Sequence, residues 1–303
     1  MSSSALERAI LEAITYFGIF SYPLATLEVW QNIRVRATYV EVKTALRTSA
    51  ILQKKLQCAQ GLWFLKNNPA QGEISGRQTR YRVSKAKLDK ARRFARLLRF
   101  IPAIEAVYVC NSLGYLNTRP EGDIDIFAVA KRGRIWTARF FAILIAEFTG
   151  FRPKRAHAKD GLCLSFFAVE GARMEELAFK DDIYYVYWMS KLLPIFERNG
   201  ALEKFWGRAL WLRRKLPQAM MIQPPKSVII EKTPGEEMVG RWGDFFERKL
   251  RILQLKIMPP YLKDVANKGT GVVISDEFLK FHDHDKRDHF KQEFSKRMAV
   301  ARV

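Results

Sequence analysis

Residues 107–131, VYVCNSLGYLNTRPEGDIDIFAVAK, constrain the chain more than any other stretch. An apolar β-type run ends in a small polar turn, Asn111-Ser112-Leu113-Gly114. A polar loop follows, and a second apolar run opens with Asp123-Ile124-Asp125. Alternate residues of a strand share a face, so Asp123 and Asp125 project together while Ile124 and Ile126 point into a core. Two carboxylates that close repel each other unless a cation sits between them. Oxygen donors of this kind suit Mg²⁺ (or Mn²⁺), which takes waters and substrate phosphates as further ligands. Ser112 and the backbone N–H groups of the turn are placed to hold such phosphates. The plain alternative is a pair of exposed acids at a strand edge.

The surrounding pattern supplies a scaffold for that hairpin. Arg134 opens a helix over 134–148, and LCLSFFAV at 162–169 reads as a third strand. Strand, turn, strand, helix, strand gives a mixed sheet. Ahead of it, 5–20 carries Leu6, Ile10, Ile14 and Phe17 at helical spacing. A second helix follows Pro23, and a third runs from Tyr39 to about Thr48. Two short apolar runs then flank Gln60-Gly61 as a β-hairpin. Three helices and a hairpin make the layout of a winged helix-turn-helix. Residues 66–84 lose apolar pattern and read as a linker. Beyond Glu175, helices are expected over 175–198, 201–215, 236–257 and 276–299, with a proline-marked linker at 217–235.

The charge is lopsided. Lys and Arg outnumber Asp and Glu by 52 to 31, a net +21, which attracts polyanions. Ten of those bases and one acid, Asp89, lie between Arg77 and Arg99. Leu88, Ala91, Phe94, Ala95 and Leu98 make an apolar stripe there, while Arg92, Arg96 and Arg99 share another face. That face is the candidate nucleic-acid contact; a solvated helix surface is the alternative. Cys58, Cys110 and Cys163 show neither zinc spacing nor a disulfide framework, and read as buried reduced thiols of a cytoplasmic protein. The apolar run 140–148 is too short to span a bilayer and reads as a buried helix, so no membrane partner is expected. His282 and His284 are only two apart and read as surface polar residues. Trp188, Trp206, Trp211 and Trp242 read as core.

The Asp pair and its upstream turn resemble the DNA polymerase β-like nucleotidyltransferase superfamily. That signature is an apolar strand, Gly-Gly or Gly-Ser, about ten residues, then Asp-x-Asp on the next strand; here Asn111-Ser112 is followed by residues 113–122 and then Asp123-Ile124-Asp125. The continuation DIDIFAVAKRGRIWTARFF, with KLLPIF and LWLRRKLP further on, is similar to uncharacterised bacterial nucleotidyltransferase-domain proteins with an N-terminal winged-helix-like region. The resemblance implies an α+β fold: a winged-helix-like domain over 1–76, a small mixed-sheet nucleotidyltransferase core with a leading basic helix over 77–175, and a helical C-terminal region over 176–303. It implies transfer of a nucleoside monophosphate from a nucleoside triphosphate to an acceptor hydroxyl, releasing pyrophosphate; with the basic charge and the winged-helix layout, the acceptor is expected to be RNA, DNA or another anionic molecule. Two Mg²⁺ ions would clamp the attacking and leaving oxygens, with Asp123 and Asp125 ligating both, and Asn111, Ser112, Gly114 and Lys131 would hold the nucleotide, helped by Arg132 and Arg134.

Two departures stand out. Asn111 replaces the first glycine, although Asn tolerates left-handed backbone. The third strand offers Cys163 and Ser165 where a third acid is expected, leaving Asp160 before it and Glu170 after it as candidates. The alternative function is a catalytically degenerate protein of this fold that binds nucleic acid through its winged helix and basic helix.

Overall fold

The computed structural model of the chain describes residues 3–66, 70–152, 159–220, 222, 229–230 and 241–302. The fold is mixed α+β, built on two sheets. The first helix, α1 (Ser3–Gly18), buries Ile10, Ala13, Ile14 and Phe17. A two-residue strand, β1 (Leu24–Ala25), leads into α2 (Thr26–Asn32) and α3 (Tyr39–Thr48). Thr38 fixes the start of α3: its hydroxyl accepts from Glu41 N at 3.2 Å while the Glu41 carboxylate accepts from Thr38 N at 2.7 Å. A short helix not anticipated from the sequence, α4 (Ala50–Lys55), precedes the expected hairpin of β2 (Leu56–Ala59) and β3 (Leu62–Leu65). Its turn puts Gln60 and Gly61 at positive φ, 50° and 75°. The strands pair antiparallel in the order β1-β3-β2.

The expected linker at 66–84 is helix for most of its length. Residues 67–69 lie outside the described residues, and α5 (Ala70–Leu98) begins at once. Local pattern is weak there because tertiary partners hold the helix instead. Arg77 forks onto the Glu28 carboxylate at 2.8 and 2.7 Å and stacks over the Tyr22 ring. Arg80 donates to Asn117 Oδ1 at 2.5 Å, and Ser84 Oγ accepts from Thr118 N at 2.9 Å. Lys87 is buried and donates to the carbonyls of Pro120 and Gly122 and to the Asp160 carboxylate.

The second sheet carries β4 (Ile104–Val109), β5 (Ile124–Ala130), β6 (Leu162–Val169), β7 (Leu193–Arg198), β8 (Ile229–Ile230), β9 (Val272–Ile274) and β10 (Phe278–Phe281). Their order is β8-β7-β4-β5-β6-β10-β9. β4 runs antiparallel to β5 and to β7, whereas β5 and β6 are parallel. The crossover between β5 and β6 is α7 (Ile135–Phe148), which turns Ala138, Ala142 and Ala146 inward. It is half-buried rather than buried: Phe148 is 82% exposed. Across α7 lies α11 (Arg241–Ile257), whose Glu247 carboxylate accepts from the N–H groups of Trp136 and Thr137 at the start of α7. Among the described residues, no helix is long and apolar enough to cross a membrane.

The C-terminal stretch departs from its helical reading. It does supply α8 (Ile183–Ser190), α9 (Ala201–Arg208), α10 (Leu210–Lys215), α12 (Pro260–Val265) and α13 (Arg287–Arg302). It also supplies β7, β8, β9 and β10, two strands to each edge of the sheet. The proline-marked linker 217–235 and the expected helical start at 236 fall mostly outside the described residues. Trp188 and Trp206 are buried and Trp211 packs against the same core, as expected; the side chain of Trp242 lies outside the described residues. One hydrophobic cluster joins the N-terminal helices to the large sheet: the Tyr187 ring lies 4.3 Å from Tyr16 and 5.1 Å from Phe17, and its hydroxyl donates to Asn32 O.

Arg287 fastens the C-terminal helix to this body. It is 5% exposed and donates to Leu177 O and to Asp182 at 2.8 Å, with Asp285 as a second carboxylate. Breaking a buried pair leaves an uncompensated charge. Arg287→Met should therefore cost about 3–5 kcal/mol, read as a lowered urea midpoint at unchanged slope; a shift below about 1 kcal/mol would show that the pair is solvated.

Candidate metal centre

The site sits where β4, β5 and β6 meet. β4 ends at Val109, and Asn111 opens the turn α6 (Asn111–Gly114) at φ 52°, the left-handed region that its identity allows. Tyr184 donates to Asn111 Oδ1 at 3.2 Å. Ser112 Oγ and Thr118 Oγ1 are 3.2 Å apart, and Asn117 N donates to Ser112 O at 2.8 Å. Gly114 is required by close approach, since a Cβ there would stand 2.2 Å from the Lys191 carbonyl oxygen. The loop that follows is anchored to α5 through Ser84 and Lys87.

Asp123 and Asp125 project as expected. Both are half-buried, while Ile124 and Ile126 are 0% and 1% exposed. The parallel register sets Asp125 beside Cys163 on β6, and Cys110 N donates to Asp125 O from the other side. Ligand atoms of Asp123, Asp125 and Cys163 all lie within 4.8 Å of one another. Cys163 Sγ donates to Ser165 Oγ at 3.2 Å, and Ser165 Oγ lies 2.9 Å from His282 Nε2. The thiol, the hydroxyl and the imidazole thus form a chain from the site to the residue just past β10.

Electrostatics follow burial and the two acids. Burial, and then the Asp125 charge, push the Cys163 thiol up to about 12; hydrogen bonding to Ser165 opposes this, and the Asp123 charge adds to it. Burial and Asp125 likewise raise Cys110. Burial, aided by the Lys280 ammonium, lowers His282 to about 4, so the ring is neutral near pH 7.

Neither candidate third acid joins the group. Asp160 lies beside Gly122 through its N–H, but its carboxylate pairs with Lys87 at 2.8 Å. Glu170 follows the opposite end of β6 and pairs with Lys204 at 3.2 Å. Lys131 falls outside the site as well. It follows the far end of β5, about 20 Å from Asp125 at the rise of a strand. Arg132 and Arg134 there pair with Glu277 and Asp244. Among the described residues, then, the metal-type group is two carboxylates and one thiol. That set suits one divalent cation. It does not suit a two-Mg²⁺ clamp, which calls for oxygen donors and a further acid.

The basic helix divides in two. Arg77, Arg80, Lys87 and Lys90 are spent inside the protein, the last on Asp160 O at 2.7 Å. Arg92 is half-buried, 3.6 Å from Asp89, whereas Arg96 and Arg99 are exposed together with Arg82, Lys85 and Arg93. Of the cysteines, Cys58 is exposed rather than buried. His282 is not a free surface residue but packs onto Ser165. Nothing within the HDHD string marks it, because its partner is 117 residues away. Comparison with protein families, with curated proteins and with solved structures gives no match.

The depressed His282 carries a pH signature. A base whose folded value is about 4 against an ordinary 6.5 contributes stability that is present above pH 6.5 and lost as the pH falls towards 4. His282→Gln, which keeps a side-chain partner for Ser165, should flatten the decline in urea midpoint between pH 6.5 and 4. An unchanged acid limb would mean that the ring is solvated.

Proposed function

We propose that this chain binds a nucleoside triphosphate with a divalent cation at Asp123 and Asp125 and transfers the nucleoside monophosphate to an acceptor hydroxyl, releasing pyrophosphate. The carrying observation is the paired carboxylates at the entry to the central strand β5, beside Cys110, after which the chain turns with Asn111 in the left-handed region. The acceptor oxygen would form its bond to the α-phosphorus as the bond to the β-phosphate oxygen breaks. The acceptor proton would leave to solvent or to a nearby carboxylate. A cation held there neutralises the triphosphate and the charge that builds on it in the transition state. Ser112 is suited to donate to a phosphate oxygen, and the tight Gly114–Lys191 contact keeps the turn rigid while it does so.

The proposed partner is nucleic acid. Exposed Arg82, Lys85, Arg93, Arg96 and Arg99 on α5 support it. The order of the N-terminal elements, α1-β1-α2-α3-α4-β2-β3, is compatible with the winged-helix reading and supports it too, with Lys43 and Arg47 exposed on α3. A specific observation favours the second reading, nucleic-acid binding without turnover: Cys163 stands where a third carboxylate would, while Asp160 and Glu170 are engaged with lysines.

Calorimetry with triphosphate and a divalent cation tests the first reading. Asp123→Asn with Asp125→Asn should abolish cation-dependent binding while the melting temperature holds, and a labelled triphosphate should be incorporated into an RNA or DNA acceptor by the wild type alone. Equal triphosphate affinity in both proteins would sink the site; tight binding without incorporation would select the second reading.

The salt dependence of nucleic-acid binding tests the helix surface. Each phosphate contact contributes a slope near −0.9 in log K against log salt on B-DNA. Because Arg92 is half-buried, Arg92→Ala with Arg96→Ala and Arg99→Ala should flatten the slope by about 2 units rather than 3. An unchanged slope would move the interface to α3 and the β2–β3 hairpin.

A further inference from the structure

Resting on the proposed cation site, we infer that Cys163 is its third ligand and that the site is built for a thiophilic divalent ion of the Zn²⁺ class rather than for Mg²⁺. Register carries the first part of the argument. β5 and β6 run parallel with Asp125 opposite Cys163, so the thiol occupies the neighbouring strand position facing the same space as the two carboxylates. The three ligand atoms already lie within 4.8 Å of one another. Around a cation at ordinary metal–oxygen and metal–sulfur distances, about 2.0 to 2.3 Å, three ligand atoms stand up to about 4 Å apart, so a small side-chain adjustment brings this group onto one ion.

The outer groups carry the second part. A thiol that merely filled core space would need no polar support. Cys163 instead meets Ser165 Oγ at 3.2 Å, which is held in turn by His282 Nε2 at 2.9 Å. The hydroxyl that accepts from the thiol can turn to donate to a thiolate, and the imidazole fixes where that hydroxyl stands. Metal ligands are oriented by outer partners of this kind. Donor chemistry then selects the ion. Two carboxylates and one thiolate suit Zn²⁺ or Co²⁺, which accept mixed oxygen and sulfur, whereas Mg²⁺ takes oxygen alone. Binding displaces the thiol proton to solvent as the metal–sulfur bond forms. A fourth position is left to water or to a phosphate oxygen.

Co²⁺ is the probe, added to the purified full chain under reducing conditions. Wild type should develop a thiolate-to-cobalt charge-transfer band in the near ultraviolet, removed by stoichiometric Zn²⁺ and untouched by a large excess of Mg²⁺. Cys163→Ser should lose the band, Cys110→Ser should keep it, and Ser165→Ala should weaken Co²⁺ binding about 10- to 100-fold. Cys163→Asp should shift preference at least about tenfold towards Mg²⁺ and Mn²⁺. Absence of the band, its survival in Cys163→Ser, or ready displacement by Mg²⁺ would each overturn the inference. Triphosphate binding in the presence of each ion in turn (Mg²⁺, Mn²⁺, Co²⁺), measured on the same samples, separates the two claims. If it is present and requires Asp123 and Asp125 while Co²⁺ gives no band, the nucleotide site stands and the thiolate ligand falls. If both are absent, both fall.

Discussion

The ammonium of Lys87 is almost wholly removed from water, and it is satisfied by the carbonyls of Pro120 and Gly122 and by the carboxylate of Asp160. A buried charge is tolerated only when donors and acceptors surround it. Here those acceptors belong to the two segments that enter β5 and β6. Gly122 precedes Asp123 by one residue, and Asp160 stands just before Leu162. One side chain on α5 thereby sets the relative height of the two parallel strands, and with it the register that brings Asp125 beside Cys163. A slip of one residue would turn every side chain of β6 to the opposite face. Cys163 and Ser165 would then leave the site for the other side of the sheet.

Much of this was legible from the order of residues, and the rest was hidden for identifiable reasons. Strong local patterns marked α3 and β6 nearly to the residue and the turn of the β2–β3 hairpin, though not the helix α4 that precedes it. The strand carrying Asp125 was equally plain, because IDIFAVA has no helical period. Residues 70–84 read as linker because what makes them helical lies elsewhere in the chain, at Glu28, Asn117 and Thr118. β7 and β10 were absorbed into neighbouring helical windows, since short apolar runs carry little period of their own. The site divides the same way. The Asp pair declares itself by spacing, but the third group could be settled only by knowing which strand lies beside β5 and in what register. His282 depends on a hairpin pairing that no local rule announces.

The net charge of +21 also means less than its size suggests. A sequence count treats each base alike. In the folded chain Arg77, Arg80, Lys87 and Arg287 act as internal fasteners whose positive charge faces carbonyls and carboxylates. What reaches solvent along α5 is a narrower stripe, and its direction matters more than the total, because only charges within about a Debye length of a phosphate steer it.

The C-terminal hairpin has a consequence for the birth of the protein. β6 reads LCLSFFAV, and the strand that covers its outer edge, β10, lies more than a hundred residues later in the chain. During translation at roughly 5–20 residues per second, that edge emerges with its N–H and C=O groups unpaired for something like 5–20 s before Phe278–Phe281 exists to cap it. An apolar strand exposed at a sheet edge recruits other strands. Until this hairpin has been synthesised, the outer edge of β6 is therefore open to pairing with foreign strands.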